Sequence, residues 1–187
     1  MAGGFFVSLF AQNHALRAMR LIYVLSLIVS LGLTACSTTT VYIVRHAEKV
    51  SEADTTNLTP AGYARAAALA DQLGNASIDS IFTTPYRRTR QTAQPLATRL
   101  GLPLIDYPAK PTEAIVNRVT LIRGKQLLVV GHSNTILEIA KGLGAQPTMT
   151  RIESGDFDNL FRVDVKRGVF GKSISFSQTI YGQPTPP

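Results

Sequence analysis

The sequence predicts a three-layer α/β/α domain on a mostly parallel central sheet, with late antiparallel strands at its edge. Three observations carry this. First, Val41-Tyr42-Ile43-Val44 and Leu127-Leu128-Val129-Val130 are continuous apolar runs, the pattern of strands covered on both faces as in a parallel sheet. Second, helix-forming segments alternate with short strands, which is the rhythm of βαβ units. Third, the rhythm changes after Gly155: Leu160 to Val165 alternates apolar and polar, and 169–180 has little helical character. Those two segments read as antiparallel strands.

The elements follow in order. The first strand, Val41 to Val44, runs straight into Arg45-His46. Charged residues do not belong inside a doubly covered strand, so this pair sits at its end, where open α/β sheets place ligands. Val50 to Asn57 is polar and reads as a loop. Thr59-Pro60 supplies a capping hydroxyl and a proline at the first helical position. The alanine-rich stretch 61–73 continues the helix, and Gly74-Asn75 ends it. Residues 79–83 form a short strand broken by Thr84-Pro85. Tyr86 to Leu100 is a helix stopped by Gly101. Leu104 to Tyr107 is extended, and Glu113 to Ile122 is a helix that turns at Arg123-Gly124. Gln126 to Gly131 is the second buried strand, followed directly by His132-Ser133-Asn134. Thr135 to Leu143 is a helix closed by Gly144, and Thr179 to Pro187 reads as a frayed end. The folded domain is expected over 41–181, with 182–187 as a tail.

The first 36 residues are expected to lie outside this fold. Arg17 and Arg20 precede the apolar run Leu21 to Leu33, the layout of a secretory signal. The run is shorter than the roughly 20 residues of a spanning helix. Leu33-Thr34-Ala35-Cys36 resembles the lipobox of bacterial lipoproteins, which implies that Cys36 is lipidated and becomes the mature N-terminus. Residues 37–40 would then be a tether, and residues 1–18 an upstream start before Met19. The implied location is the bacterial cell envelope, lipid-anchored and facing away from the cytoplasm. Ser37 is not the aspartate associated with inner-membrane retention, which favours the outer membrane.

Composition narrows the function classes. The 187 residues suffice for one domain with its own core. The net charge of +7 is spread along the chain, which suits anionic substrates. No basic run interleaves with aromatics, so nucleic acid is not favoured. A single cysteine rules out an internal disulfide and a cysteine-rich metal site.

The chemistry lies at the strand ends. His46 and His132 each follow an apolar strand, and parallel strands share one carboxyl edge. Between them, Thr83 to Thr92 is another strand end opening into a helix, with Arg87, Arg88 and Arg90. Helix N-termini attract anions, and guanidinium groups fork onto phosphate oxygens. Two histidines and two or more arginines at one sheet edge therefore suggest a phosphate site.

This constellation resembles the histidine phosphatase superfamily, the phosphoglycerate mutase-like or branch-1 family. Arg45-His46-Ala47-Glu48 looks like its R-H-G/A signature, and Leu58-Thr59-Pro60-Ala61-Gly62 like its L-T-x-x-G helix start. Residues 84–92 look like its S-x-x-x-R-[AT]-x-x-T segment with threonine for serine, a register that selects Arg88. Gly131-His132-Ser133-Asn134 looks like its second-histidine motif. The resemblance implies a phosphoglycerate mutase-like fold and a covalent mechanism in which His46 attacks phosphorus and water later releases the phosphoryl group. The nucleophile must be neutral, as imidazole mostly is near pH 7. Arg45, Arg88 and His132 would hold the oxygens, with Ser133 and Asn57 completing the substrate-binding set. No metal or other cofactor is implied.

The general acid is open among Glu48, Asp106 and Glu113, with Glu113 placed in the catalytic set. An enzyme without such an acid would favour phosphohistidine-like or acyl-phosphate substrates, whose leaving groups need less protonation. The short stretch between Arg88 and His132 leaves little for a lid, which favours a compact phosphatase of small phosphorylated substrates over a mutase. A non-catalytic phospho-ligand-binding lipoprotein is the other alternative, against which the retained His46 argues.

Overall fold

The computed structural model describes residues 17, 19–23, 36–169 and 171–186. The chain divides into two compact units, one of Met1–Ser37 with Arg167–Gly171 and one of Thr38–Lys166 with Lys172–Pro187. Most of the expected signal peptide, including Leu33, Thr34 and Ala35 of the lipobox, lies outside the described residues. Cys36 is an exposed free thiol. Among the described residues no helix is long and apolar enough to cross a membrane.

Six strands and four helices follow, all in the second unit but for Ser37, Arg167, Gly168 and Gly171. They are β1 (Ser37–Arg45), α1 (Pro60–Leu73), β2 (Ser80–Thr83), α2 (Arg87–Leu100), β3 (Leu104–Asp106), α3 (Glu113–Leu121), β4 (Gln126–Gly131), α4 (Ile136–Gly142), β5 (Asn159–Gly168) and β6 (Gly171–Ile180). The sheet order is β3-β2-β4-β1-β5-β6. β1 with β4, β4 with β2, and β2 with β3 pair in parallel, and the late strands add an antiparallel edge.

Strand alternation sorts the core into two layers. Val41, Ile43, Leu127 and Val129 pack with Ile115 and Val119 of α3 and Ile136 and Ile139 of α4. Tyr42, Val44, Leu128 and Val130 face the other way, onto Leu69 and Leu73 of α1 and Ala93 and Leu96 of α2. Both faces of β1 and β4 are therefore apolar, which is why these strands read as unbroken hydrophobic runs.

Two expectations are corrected. Residues 37–40 are not a tether but the first half of β1. Threonine is β-branched and suits a strand, and here its hydroxyls are satisfied. Thr39 Oγ1 donates to Ile122 O (3.0 Å) and accepts from Gly124 N (3.1 Å), while Thr40 Oγ1 donates to Asp164 Oδ1 (2.6 Å). Nor is the C-terminus frayed. Tyr181 is buried, and the Arg65 guanidinium donates to the carbonyls of Tyr181 (2.9 Å) and Gln183 (2.8 Å) while holding both oxygens of Glu48. Thr185 N donates to Asp158 Oδ2 at 2.7 Å.

Candidate active site

Register brings the two histidines together. In the β1–β4 pair Arg45 lies opposite Gly131, so His46 and His132 each follow the same rung. His46 N extends the ladder by donating to Gly131 O at 2.9 Å. The imidazole centroids are 5.4 Å apart and the rings are inclined by 65°. Gly131 lets the end of β4 pack closely, because a Cβ there would meet Ile136, Thr135 and Tyr107 at 3.0–3.2 Å.

The loop that follows His46 is fixed from two sides. Thr92 Oγ1 accepts from Ala47 N (2.9 Å) and donates to Arg88 O (2.7 Å). On the other side, Thr59 N donates to Glu48 O at 2.9 Å, and Thr59 caps α1 by accepting from Gly62 N at 3.1 Å. Gly62 packs against the same carbonyl: a Cβ there would stand 2.2 Å from Glu48 O.

His46 is 3 % exposed, and its Nδ1 lies 2.8 Å from the carbonyl oxygen of Ala47. A carbonyl only accepts, so Nδ1 carries the proton and Nε2 of the neutral ring carries the lone pair. Burial pushes this imidazole down to about 3; the Ala47 bond opposes that, and the charges of His132, Arg45 and Arg88 add to it. Burial followed by the charges of Arg88, Arg45 and Lys49 pushes His132 down to about 4. Both rings are therefore neutral at pH 7. His132 Nε2 is 3.0 Å from Thr84 Oγ1, which in turn is 2.9 Å from Thr89 Oγ1. The free site holds His132 neutral, and a phosphoryl dianion between the arginines would favour its imidazolium.

The two arginines are anchored to different degrees. Arg45 Nη1 donates to Glu153 O and Asp156 O, both at 2.8 Å, and its guanidinium sits 3.9 Å over the Phe157 ring. Burial lowers its proton affinity, opposed chiefly by Asp156. The Arg88 guanidinium lies 4.5 Å over Tyr86, whose ring meets His132 edge-on at 5.1 Å. Nε of both Arg45 and Arg88 is buried without a hydrogen-bond partner, a costly state that an anion's oxygens would relieve.

These groups line a cavity of about 790 Å³, together with Ser133, Asn134, Ser154, Lys49, Glu52 and Lys110. Arg45, His46, Arg88, His132 and Ser133 are thus brought together. Glu113 and Asn57 are not among the lining residues. Glu113 is exposed in the first turn of α3, and Asn57 Oδ1 accepts from Arg87 and Gln91 on α2. Glu48 is held by Arg65 (2.7 Å) and Asp106 by Arg90 (2.5 Å). The one carboxylate of the lining is Glu52, which sequence reading passed over as part of a polar loop. Its bond to Lys49 (2.6 Å) keeps it well ionised. Tyr86, Thr84 and Thr92 were also missed as site-builders, although all three lie inside the arginine motif.

Fold and site together define an α/β protein with two histidines and two arginines around an anion-binding cavity at the carboxyl edge of a parallel sheet. The family model of the Histidine phosphatase superfamily (branch 1) matches residues 41–109. No curated protein matches the sequence. Among solved structures, a candidate phosphohistidine phosphatase, SixA, from Nakamurella multipartitia is 19% identical, with 79% of this chain and 96% of that chain covered and a TM-score of 0.55. The mycobacterial glucosyl-3-phosphoglycerate phosphatase is 13% identical over 77% of this chain and 98% of its own, with a TM-score of 0.57. The α-ribazole phosphatase from Shigella flexneri is 14% identical over 77% and 96%, with a TM-score of 0.56. At these identities the likeness is one of fold.

Proposed function

We propose that the chain is a phosphatase that hydrolyses phosphomonoesters or phosphohistidine-like substrates through a phosphohistidine on His46. The observation that carries this is the fixed Nε2 lone pair of His46 beside the buried, unpartnered Nε atoms of Arg45 and Arg88. In the first step Nε2 bonds to phosphorus and the bond to the leaving oxygen breaks, that oxygen departing as an anion of low basicity that takes its proton from solvent. In the second, water bonds to phosphorus, the P–N bond breaks, the water's proton goes to solvent, and neutral His46 returns with inorganic phosphate. Arg45, Arg88 and His132 offset the charge on the equatorial oxygens.

The leaving group is less well served. Glu52 is kept ionised by Lys49, so it is a poor proton donor, and the site suits leaving oxygens of low basicity. Release of phosphate from an aryl phosphate by wild type, lost in His46→Ala, tests the reading; equal rates in both would overturn it.

Envelope anchoring through Cys36 is part of the same proposal. Its support is the basic residues Arg17 and Arg20, the apolar run behind them, and an exposed free thiol at the lipobox position. Mass spectrometry of the mature N-terminus tests it: an acylated Cys36 is expected, and a chain that keeps residues before Cys36 would contradict it.

A further inference from the structure

Charge within the cavity does not balance against one phosphoryl group. Four cations line it, Arg45, Lys49, Arg88 and Lys110, against the single carboxylate Glu52. Lys49 and Glu52 neutralise each other at 2.6 Å. A phosphoryl dianion matches Arg45 and Arg88. That leaves Lys110, which is exposed at the cavity lining and forms no ion pair among the described residues.

The size of the cavity agrees with this count. At about 790 Å³ it is in the range that encloses a whole small ligand rather than one phosphoryl group. Its other lining groups are mostly neutral and polar, among them Ser133, Asn134 and Ser154, so the part of the ligand beyond the phosphoryl group meets hydrogen-bonding side chains and one free cation. Ala109 and Lys110 lie in the segment between β3 and α3, on which the sequence reading looked for a carboxylate. A lysine there attracts an anion where a carboxylate would repel it.

We propose that Lys110 reads a second anionic group on the substrate, a carboxylate or a second phosphate, so that the preferred phosphomonoesters are small molecules carrying two anionic centres. This rests on the phosphatase reading above and names the substrate class of the same site.

The test uses the full chain and matched aryl esters: 4-carbamoylphenyl phosphate, 4-carboxyphenyl phosphate and 1,4-phenylene bisphosphate. Wild type is expected to favour one or both dianionic-centre esters over the carbamoyl ester in kcat/KM by about tenfold, the scale of one charge-assisted contact. The carboxyl and bisphosphate arms show which second anion is read. Lys110→Gln should collapse that ratio towards one, Lys110→Arg should keep most of it, and added salt should shrink it in wild type. Turnover of all three esters with a ratio near one, or a ratio that survives Lys110→Gln, would overturn the Lys110 proposal and leave the phosphatase reading standing. If wild type turns over none of them, the phosphatase reading fails. Equilibrium binding of the same three compounds then decides Lys110: tighter binding of the doubly anionic compounds, lost in Lys110→Gln, upholds it, and equal binding overturns it.

Discussion

His46 and His132 stand ring to ring, 5.4 Å between centroids, in a pocket whose arginines oppose any further positive charge. Proton uptake by either ring is disfavoured by burial first; at His46 the charges of His132, Arg45 and Arg88 add to this, and at His132 those of Arg88, Arg45 and Lys49. Burial, with a smaller contribution from the same two guanidinium groups proposed to bind phosphate, therefore keeps the His46 ring neutral.

This arrangement makes stability depend on pH. The folded values of about 3 and about 4 lie below the ordinary imidazole value, so the unfolded chain binds more protons in that window. Stability is fully present above about pH 6.5 and falls as pH drops towards 4, by on the order of 3 kcal/mol for His132 alone. Urea unfolding followed across this range should show the decline, and inorganic phosphate should lessen it by stabilising the imidazolium forms. A flat profile between pH 6.5 and 4 would contradict the buried neutral pair.

Arg45 and Arg88 should separate in mutagenesis. Arg88 makes one long hydrogen bond, 3.3 Å to Ala53 O, and a 3.9 Å ion pair to the exposed Asp54, so Arg88→Ala should leave folding nearly intact. It should still lower kcat/KM by about 10² to 10³, the scale of one lost oxyanion donor. Arg88→Lys should recover little, since a point charge lacks the fork. Arg45→Ala removes two 2.8 Å bonds to carbonyls and a stacked Phe157, so it should cost about 2 kcal/mol of stability as well as activity. Chemical denaturation alongside steady-state kinetics distinguishes the two.

Gly62 is the packing contact most sensitive to size. Its missing Cβ would stand 2.2 Å from Glu48 O, against the loop that carries His46. Gly62→Ala should destabilise the protein by about 2 kcal/mol or more through overpacking, and kcat should fall with it because the nucleophile loop must shift. Thermal unfolding and aryl-phosphate turnover read both effects; a variant of unchanged melting temperature would contradict the close approach.

Asp106 and Glu113 should be dispensable. The first is paired with Arg90 and the second is exposed on α3, outside the cavity lining. Asp106→Asn and Glu113→Gln should each keep kcat/KM on alkyl and aryl phosphates within about twofold of wild type. A loss confined to the alkyl ester, whose leaving oxygen needs the proton more, would instead mark that residue as the acid.

What was legible in the sequence was whatever is local. Strand runs ending in Arg45-His46 and Gly131-His132, the Thr59-Pro60 helix start and the Gly101 stop each declare themselves within a few residues. Long-range contacts left little trace. Thr39 and Thr40 looked like a polar tether because their partners, Ile122 O and Asp164, are more than eighty residues away. Tyr181 and Gln183 looked like a loose end because Arg65, which fastens them, reads as one more charge on an alanine-rich helix. Phe157 beneath Arg45 sits in an irregular stretch with no periodicity to mark it. The general acid was sought by position in the chain, whereas Arg65 and Arg90 had already engaged two of the three candidates.

The proposed covalent phosphoryl-enzyme forms on one atom, His46 Nε2. Rapid acid-free quenching of the enzyme during turnover of a labelled aryl phosphate, followed by peptide mapping and phosphorus NMR, tests it most directly. The expected result is an acid-labile, base-stable phosphoramidate on His46, at Nε2 because Nδ1 donates to the Ala47 carbonyl, absent from His46→Ala. Label on His132 or another residue, or turnover that persists in His46→Ala, would contradict it.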